Sequence, residues 1–61
     1  MCELRVFMEN GNREQIMDDV VRIKVNGGSI TLVTLLGETR QVSGAIKEID
    51  ITKQEAVLKR K

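Results

Sequence analysis

The chain has no proline, histidine, tryptophan or tyrosine, and only one phenylalanine and one cysteine in 61 residues. Without histidine it lacks the most frequent general base and the most frequent nitrogen ligand of metals. With Phe7 as its single aromatic it offers no stacking platform for unpaired bases. It also lacks charge of one sign: ten Lys and Arg against nine Asp and Glu leave +1, far from the basic excess of a counterion-releasing nucleic-acid binder. A lone Cys cannot form an internal disulfide and fits a reducing compartment. No basic segment followed by an apolar signal-peptide run opens the chain, so a cytoplasmic location is expected. No stretch approaches the roughly 20 apolar residues of a helical membrane span.

These absences argue against an enzyme, and a non-enzyme is expected, because the one strong nucleophile, Cys2, has no histidine to activate it. They also leave a small chain short of stabilising devices. A domain of this size buries only about 60% of the surface its unfolded chain exposes, so oligomerisation or a metal is expected to assist. One domain spanning residues 1–61 is the organisation that length and composition predict.

What is present is strand patterning punctuated by glycine. Leu4, Val6 and Met8 alternate with Glu3, Arg5 and Glu9, which predicts a strand with three apolar side chains on one face and Phe7 on the other. Asn10-Gly11 then supplies a hairpin turn. Val21, Ile23 and Val25 alternate with Arg22 and Lys24 and close on Asn26-Gly27-Gly28, with Asp18-Asp19 read as a turn before them. A helix over this region is the competitor, from a capping box at Asn12 and Gln15 and apolar residues at Ile16, Val20 and Ile23. It is set aside because it leaves the Asn10-Gly11 hairpin without a second strand.

Ile30 to Leu36 is apolar on both faces, which calls either for a second subunit as cover or for a bent barrel corner at Leu35-Leu36. Thr39 to Val42, Ala45 to Ile51 and Ala56 to Leu58 supply the remaining strands. The expectation is an all-β fold of about five to seven short antiparallel strands. The Lys59-Arg60-Lys61 tail reads as a solvated terminus.

Cys2 carries the chemistry. If Met1 is removed, the α-amine and thiolate of Cys2 form a five-membered chelate, and two chains give an N2S2 set. If Met1 stays, its amine, the Cys2 amide and the Cys2 sulfur form a tridentate chelate. Either set suits the planar geometries of Ni(II) and Cu(II) better than tetrahedral Zn(II). The competing reading makes Cys2 a small buried hydrophobe at a strand start.

The opening Met1-Cys2-Glu3-Leu4-Arg5-Val6 resembles the M-C-x-x-x-V start of the CooT-type nickel-binding proteins. The resemblance extends through the early Asn-Gly hairpin, Met17 to Ile23, the Leu35-Leu36-Gly37-Glu38 corner and Val42 to Ile49. It implies a small SH3-like barrel that forms a homodimer and binds one Ni(II) through Cys2 of both chains. It further implies a nickel chaperone or store that serves a client such as carbon monoxide dehydrogenase. Met1, Cys2 and Glu3 are then the metal-site residues: Cys2 is the side-chain ligand, and terminal or backbone nitrogen of Met1, Cys2 or Glu3 its companion. The Glu3 carboxylate is a departure from the family, open to reading as a weak oxygen ligand or a charge partner for the metal, with a solvated side chain preferred. The surfaces expected to pair are Leu32 to Leu36 and the strand carrying Cys2 and Phe7. The alternative function is a metal-free RNA-binding or protein-interaction module using Arg5, Arg13, Arg22, Lys24 and Arg40, against which stand the near-zero charge and the missing aromatics.

Overall fold

The computed structural model describes residues 3–60. Six strands follow one another: β1 (Leu4–Asn10), β2 (Asn12–Asn26), β3 (Ser29–Thr34), β4 (Thr39–Ser43), β5 (Ala45–Asp50) and β6 (Glu55–Lys59). They form one sheet in the order β4-β3-β2-β1-β6-β5. The chain is therefore all-β, and the rejected helix is the first part of β2. The Asn10-Gly11 turn falls where the sequence predicts, with Glu9 opposite Arg13 and Asn10 opposite Asn12.

Two particulars differ from the expectation of short antiparallel strands. β1 and β6 pair in parallel, from Arg5 opposite Glu55 to Glu9 opposite Lys59. Parallel neighbours need a long crossover, and here the intervening strands supply it. β2, at 15 residues, is also more than twice the length of any other strand. It is a single strand because Asp18-Asp19 is not a turn. Three residues separate Met17 from Val20, whereas only two separate their partners Val6 and Leu4, so β2 carries an extra residue there. Asp19 takes a positive φ of 56°, which aspartate tolerates, and its amide donates to the Asp18 carboxylate. Further extra residues lie between Gln15 and Met17 and between Val20 and Arg22. Bulges bend a strand and increase its twist. They let β2 pair with β1 through its first half and with β3 through its second.

The bent sheet folds onto itself around one core of Val6, Met8, Val20, Ile30, Leu32, Ala56 and Leu58. The molecule's thinnest extent, 15 Å, accommodates two layers about 10 Å apart. Leu4, Val6 and Met8 share the inner face as predicted. In β2 the bulge displaces one expected member. Ile23 and Val25 stand opposite the buried Leu32 and Ile30, but Val20 is fully buried while Val21 is 43% exposed. Ile51 likewise leaves its predicted strand and lies exposed in the turn after β5.

The two edge strands β4 and β5 are consecutive in sequence and joined by Gly44 alone. Their ends must therefore meet, which forces the sheet to curl, although no ladder joins them among the described residues and the sheet is open. Gly44 has φ 151°, donates to the Gly28 carbonyl at 2.9 Å, and packs so closely that a Cβ would stand 2.3 Å from the Lys59 carbonyl oxygen. Only glycine fits that joint.

The outer face of β1 and β6 has a smaller apolar island. Val57, 3% exposed, lies beside Phe7 and outside the main core. The Arg13 guanidinium carbon stands 5.8 Å from the Phe7 ring centre. Around them Glu55 pairs with Arg5 and Arg13, and Glu9 pairs with Arg13 and Lys47. These charges cover Phe7 and Val57, so neither presents a bare surface.

Candidate functional site

The strand register sorts the molecule into two ends. At one end lie the start of β1, the Asp18-Asp19 kink, the turn after β3 and the turn after β5. Arg5 donates its amide to the Gln54 carbonyl, and Leu35 donates to the Asp19 carbonyl, both at 2.9 Å. At the other end lie the Gly11 turn, the Gly27-Gly28 turn, the Gly44 joint and Arg60.

The first end bears the predicted metal residues, of which Glu3 alone is described; Met1 and Cys2 lie outside the described residues. Glu3 is half-buried and lines a cleft of about 320 Å³ with Arg5, Asp18, Asp19 and Gln54. Three carboxylates thus face one arginine, whose guanidinium already bonds to the Lys53 carbonyl and to Glu55. The cleft is electrostatically suited to a divalent cation. It is not a ligand set: among the described residues no three His, Cys, Asp or Glu side chains are grouped to hold a metal.

Exposed apolar side chains flank this acidic cleft. Leu35 and Leu36 are 50% and 87% exposed in the turn between β3 and β4, which the bonds from Thr34 to Glu38 and from Gly37 to Thr34 close. Ile49 and Ile51 are exposed on the β5 side. The predicted bent corner is thus a tight turn whose leucines remain uncovered within the chain. In the same turn as Ile51, Thr52 and the Lys53 amide donate to Asp50 and hold its carboxyl below the usual range, with the Thr52 hydroxyl the larger cause.

The five basic residues weighed for RNA do not form one patch. Arg5 and Arg13 are engaged by Glu55 and Glu9 on the outer face of β1 and β2. Arg22 and Lys24 belong to the second half of β2, where it pairs with β3, and Arg40 reaches across to donate to the Ile16 carbonyl at 2.8 Å.

At the second end, a cleft of about 470 Å³ is lined by Met8, Glu14, Gln15, Ile16, Arg40, Val42, Ser43 and Arg60. Sequence reasoning missed it, because its residues come from β1, β2, β4 and the segment after β6. Its signal in the sequence is faint: Arg40 is a charged residue where the Val42 alternation calls for an apolar one. Also at this end, Lys47 bonds to Glu9 and holds that carboxyl below its usual range.

The family model for the CO dehydrogenase accessory protein CooT matches residues 1–59. The chain belongs to the CooT family. A crystal structure of a protein from Carboxydothermus hydrogenoformans, assigned to CooT, superposes with a TM-score of 0.89 at 18% identity, covering 98% of each chain. That likeness establishes the shared fold. An uncharacterized protein of Archaeoglobus fulgidus is 38% identical over 42 residues, 69% of this chain and 93% of that one. The family is that of an accessory protein of CO dehydrogenase. No helix among the described residues is long and apolar enough to cross a membrane.

Proposed function

We propose that this protein carries Ni(II) as cargo for maturation of a nickel enzyme such as carbon monoxide dehydrogenase, and that it does so as a cytoplasmic homodimer of one SH3-like barrel domain, residues 1–61, per chain. One Ni(II) is held by Cys2 of both chains, with terminal or backbone nitrogen of Met1 or Cys2 completing a planar set and Glu3 contributing charge. The observation that carries this reading is the family match, which includes Met1 and Cys2. The surroundings of Glu3, the residue bonded to Cys2, support it in two ways. Asp18, Asp19 and Glu3 attract a cation to that end. Leu35, Leu36, Ile49 and Ile51 give the same end apolar surface for an isologous contact, which brings the same residue of each chain to one axis. The other expected pairing surface, around Phe7, is covered by Arg13 and its ion pairs.

Binding at Cys2 requires the thiolate, so Ni(II) uptake releases protons and weakens as pH falls below the ordinary thiol range. The planar donor set lets the ion leave by stepwise ligand exchange with a client. Native mass spectrometry of reduced protein under anaerobic conditions tests the reading. The expected species is a dimer that gains one nickel, and its mass also reports whether Met1 is retained. Cys2→Ser should abolish nickel uptake while thermal unfolding stays unchanged; tight Ni(II) binding retained in that variant would overturn the site.

A further inference from the structure

The cleft at the end opposite Glu3 has features that nickel carriage does not use. One wall is β4, an edge strand. The β3–β4 register is unbroken from Ser29 opposite Ser43 to Val33 opposite Thr39. Bonds at both ends of this ladder, Thr34 amide to Glu38 carbonyl at 2.8 Å and Gly44 amide to Gly28 carbonyl at 2.9 Å, fix which residues bond across it. Antiparallel pairing alternates, so Arg40 and Val42 exchange backbone bonds with Leu32 and Ile30. The amides and carbonyls of Thr39, Gln41 and Ser43 therefore point away from β3, with no strand beyond them.

Opposite this wall stand Glu14, Gln15 and Ile16, in the half of β2 that pairs only with β1. The bulge sets Ile16 out of register with β1, and its carbonyl is taken by Arg40 instead. Met8, Ile16 and Val42 supply an apolar lining, and Arg40, Arg60, Ser43 and Gln15 supply polar groups. Two guanidinium groups face one carboxylate, Glu14, and neither Arg40 nor Arg60 is in an ion pair among the described residues.

We propose that this cleft is a docking site for an extended acidic segment of a partner protein, which adds as a strand to the free edge of β4 and sets its carboxylates against Arg40 and Arg60. Strand addition takes affinity from main-chain hydrogen bonds and specificity from pockets that receive alternate side chains. Here Thr39, Gln41 and Ser43 supply the main-chain groups, while Arg40 and Val42, two apart on β4, share one face of the sheet, so the added strand's side chains on that face are received in turn by the guanidiniums and by the Met8, Ile16 and Val42 lining. The guanidiniums select an acidic over a basic strand, and because they are exposed the selection weakens with salt. The cleft itself lies away from Glu3, and the edge of β4 runs from it toward the Leu35-Leu36 turn. The proposal does not depend on nickel.

The test is an amide-resolved NMR titration of the reduced, metal-free full chain with the hexapeptide Thr-Glu-Thr-Val-Thr-Glu, whose glutamates and valine share one face, and with the matching peptide carrying lysine in place of glutamate as control. The expected result is saturable shifts at the Thr39, Gln41 and Ser43 amides at millimolar glutamate peptide, with the lysine peptide bound roughly tenfold more weakly or worse. Gln41→Pro removes one outward N–H and leaves the β3–β4 ladder intact, as proline on an edge strand can; it should lose binding while the Ile30 and Leu32 amides stay in place. The double variant Arg40→Gln with Arg60→Gln should bind the glutamate peptide about tenfold more weakly, and it keeps the test valid if the proline variant fails to fold. No shift on β4, equal binding of both peptides, or unchanged binding in the folded variants would overturn the proposal. Shifts at these amides on concentrating the protein alone would do so as well, because they would assign the edge to a second copy.

Discussion

The two ends of this small sheet contrast in charge and in what they leave uncovered. The end that begins with Glu3 gathers Asp18, Asp19 and Asp50 and exposes apolar side chains on short turns. At the opposite end Arg40 and Arg60 line a cleft with the single carboxylate of Glu14, Lys59 lies beside the Gly44 joint, and the edge of β4 leaves backbone groups unpaired. A net charge of +1 conceals this polarity, because near-balanced totals say nothing about where the charges fall. The contrast gives the protein two unlike surfaces, one suited to a cation and to a twin chain, the other to a strand.

The largest effect expected on this contrast comes from breaking the joint that shapes the basic end. Gly44→Ala would place a Cβ 2.3 Å from the Lys59 carbonyl oxygen, against backbone that no side-chain rotation can clear. It also forces an L-residue into a strained φ of 151°. A loss of about 3 kcal/mol is expected, which in a domain of this size lowers the melting temperature by roughly 10–20 °C. Thermal unfolding by circular dichroism measures it; a drop of only a degree or two would mean that β4 and β5 can separate without disturbing the rest.

At the acidic end the corresponding test concerns association. Leu36, 87% exposed, supports nothing inside its own chain. Leu36→Ser should therefore change the unfolding free energy extrapolated to monomer by less than about 0.5 kcal/mol. If this end forms the dimer, the same change removes buried apolar area twice, once per chain, and should weaken association by at least about tenfold. Sedimentation velocity over a concentration series separates the outcomes. An unaltered dimer would move the interface away from the leucines.

How much of this was legible in the sequence depended on whether a residue's role was local. The alternation of Leu4, Val6 and Met8 and the Asn10-Gly11 turn are set by neighbours in the chain, and both appear where the pattern puts them. Val21 is different: its alternation with Ile23 is sound, but it is itself the extra residue of a bulge, and Val20 takes the core place instead. Bulges are choices of the pairing partner, and a period-two pattern cannot reveal them. The parallel β1–β6 pair and the Arg40–Ile16 contact were hidden for a related reason, since each joins residues far apart in the chain. Glu3 was singled out through a motif, and Asp18 and Asp19 line the same cleft only through the kink that was first read as a turn.

The smallest expected effect is acid sensitivity, and it compares the ends directly. Asp50 at the acidic end and Glu9 at the basic end both have carboxyl groups held below their ordinary range, the first mainly by the Thr52 hydroxyl and the second mainly by Lys47. A carboxyl whose folded value is depressed contributes its stabilisation above the unfolded value and loses it as pH falls through the folded one. Stability should therefore be flat near neutrality and decline through the acidic carboxylate range. Both groups are solvent-exposed, so the decline is modest and shrinks with added salt at Glu9, where a charge is the partner, more than at Asp50, where a hydroxyl is. Thr52→Ala and Lys47→Met separate the two contributions. Each should flatten part of the acid limb of a melting-temperature profile, and only the loss at Lys47 should be reproduced by salt. If salt flattens both limbs equally, the Asp50 turn is held by charge rather than by its hydroxyl bond, and the ends are more alike than their geometry indicates.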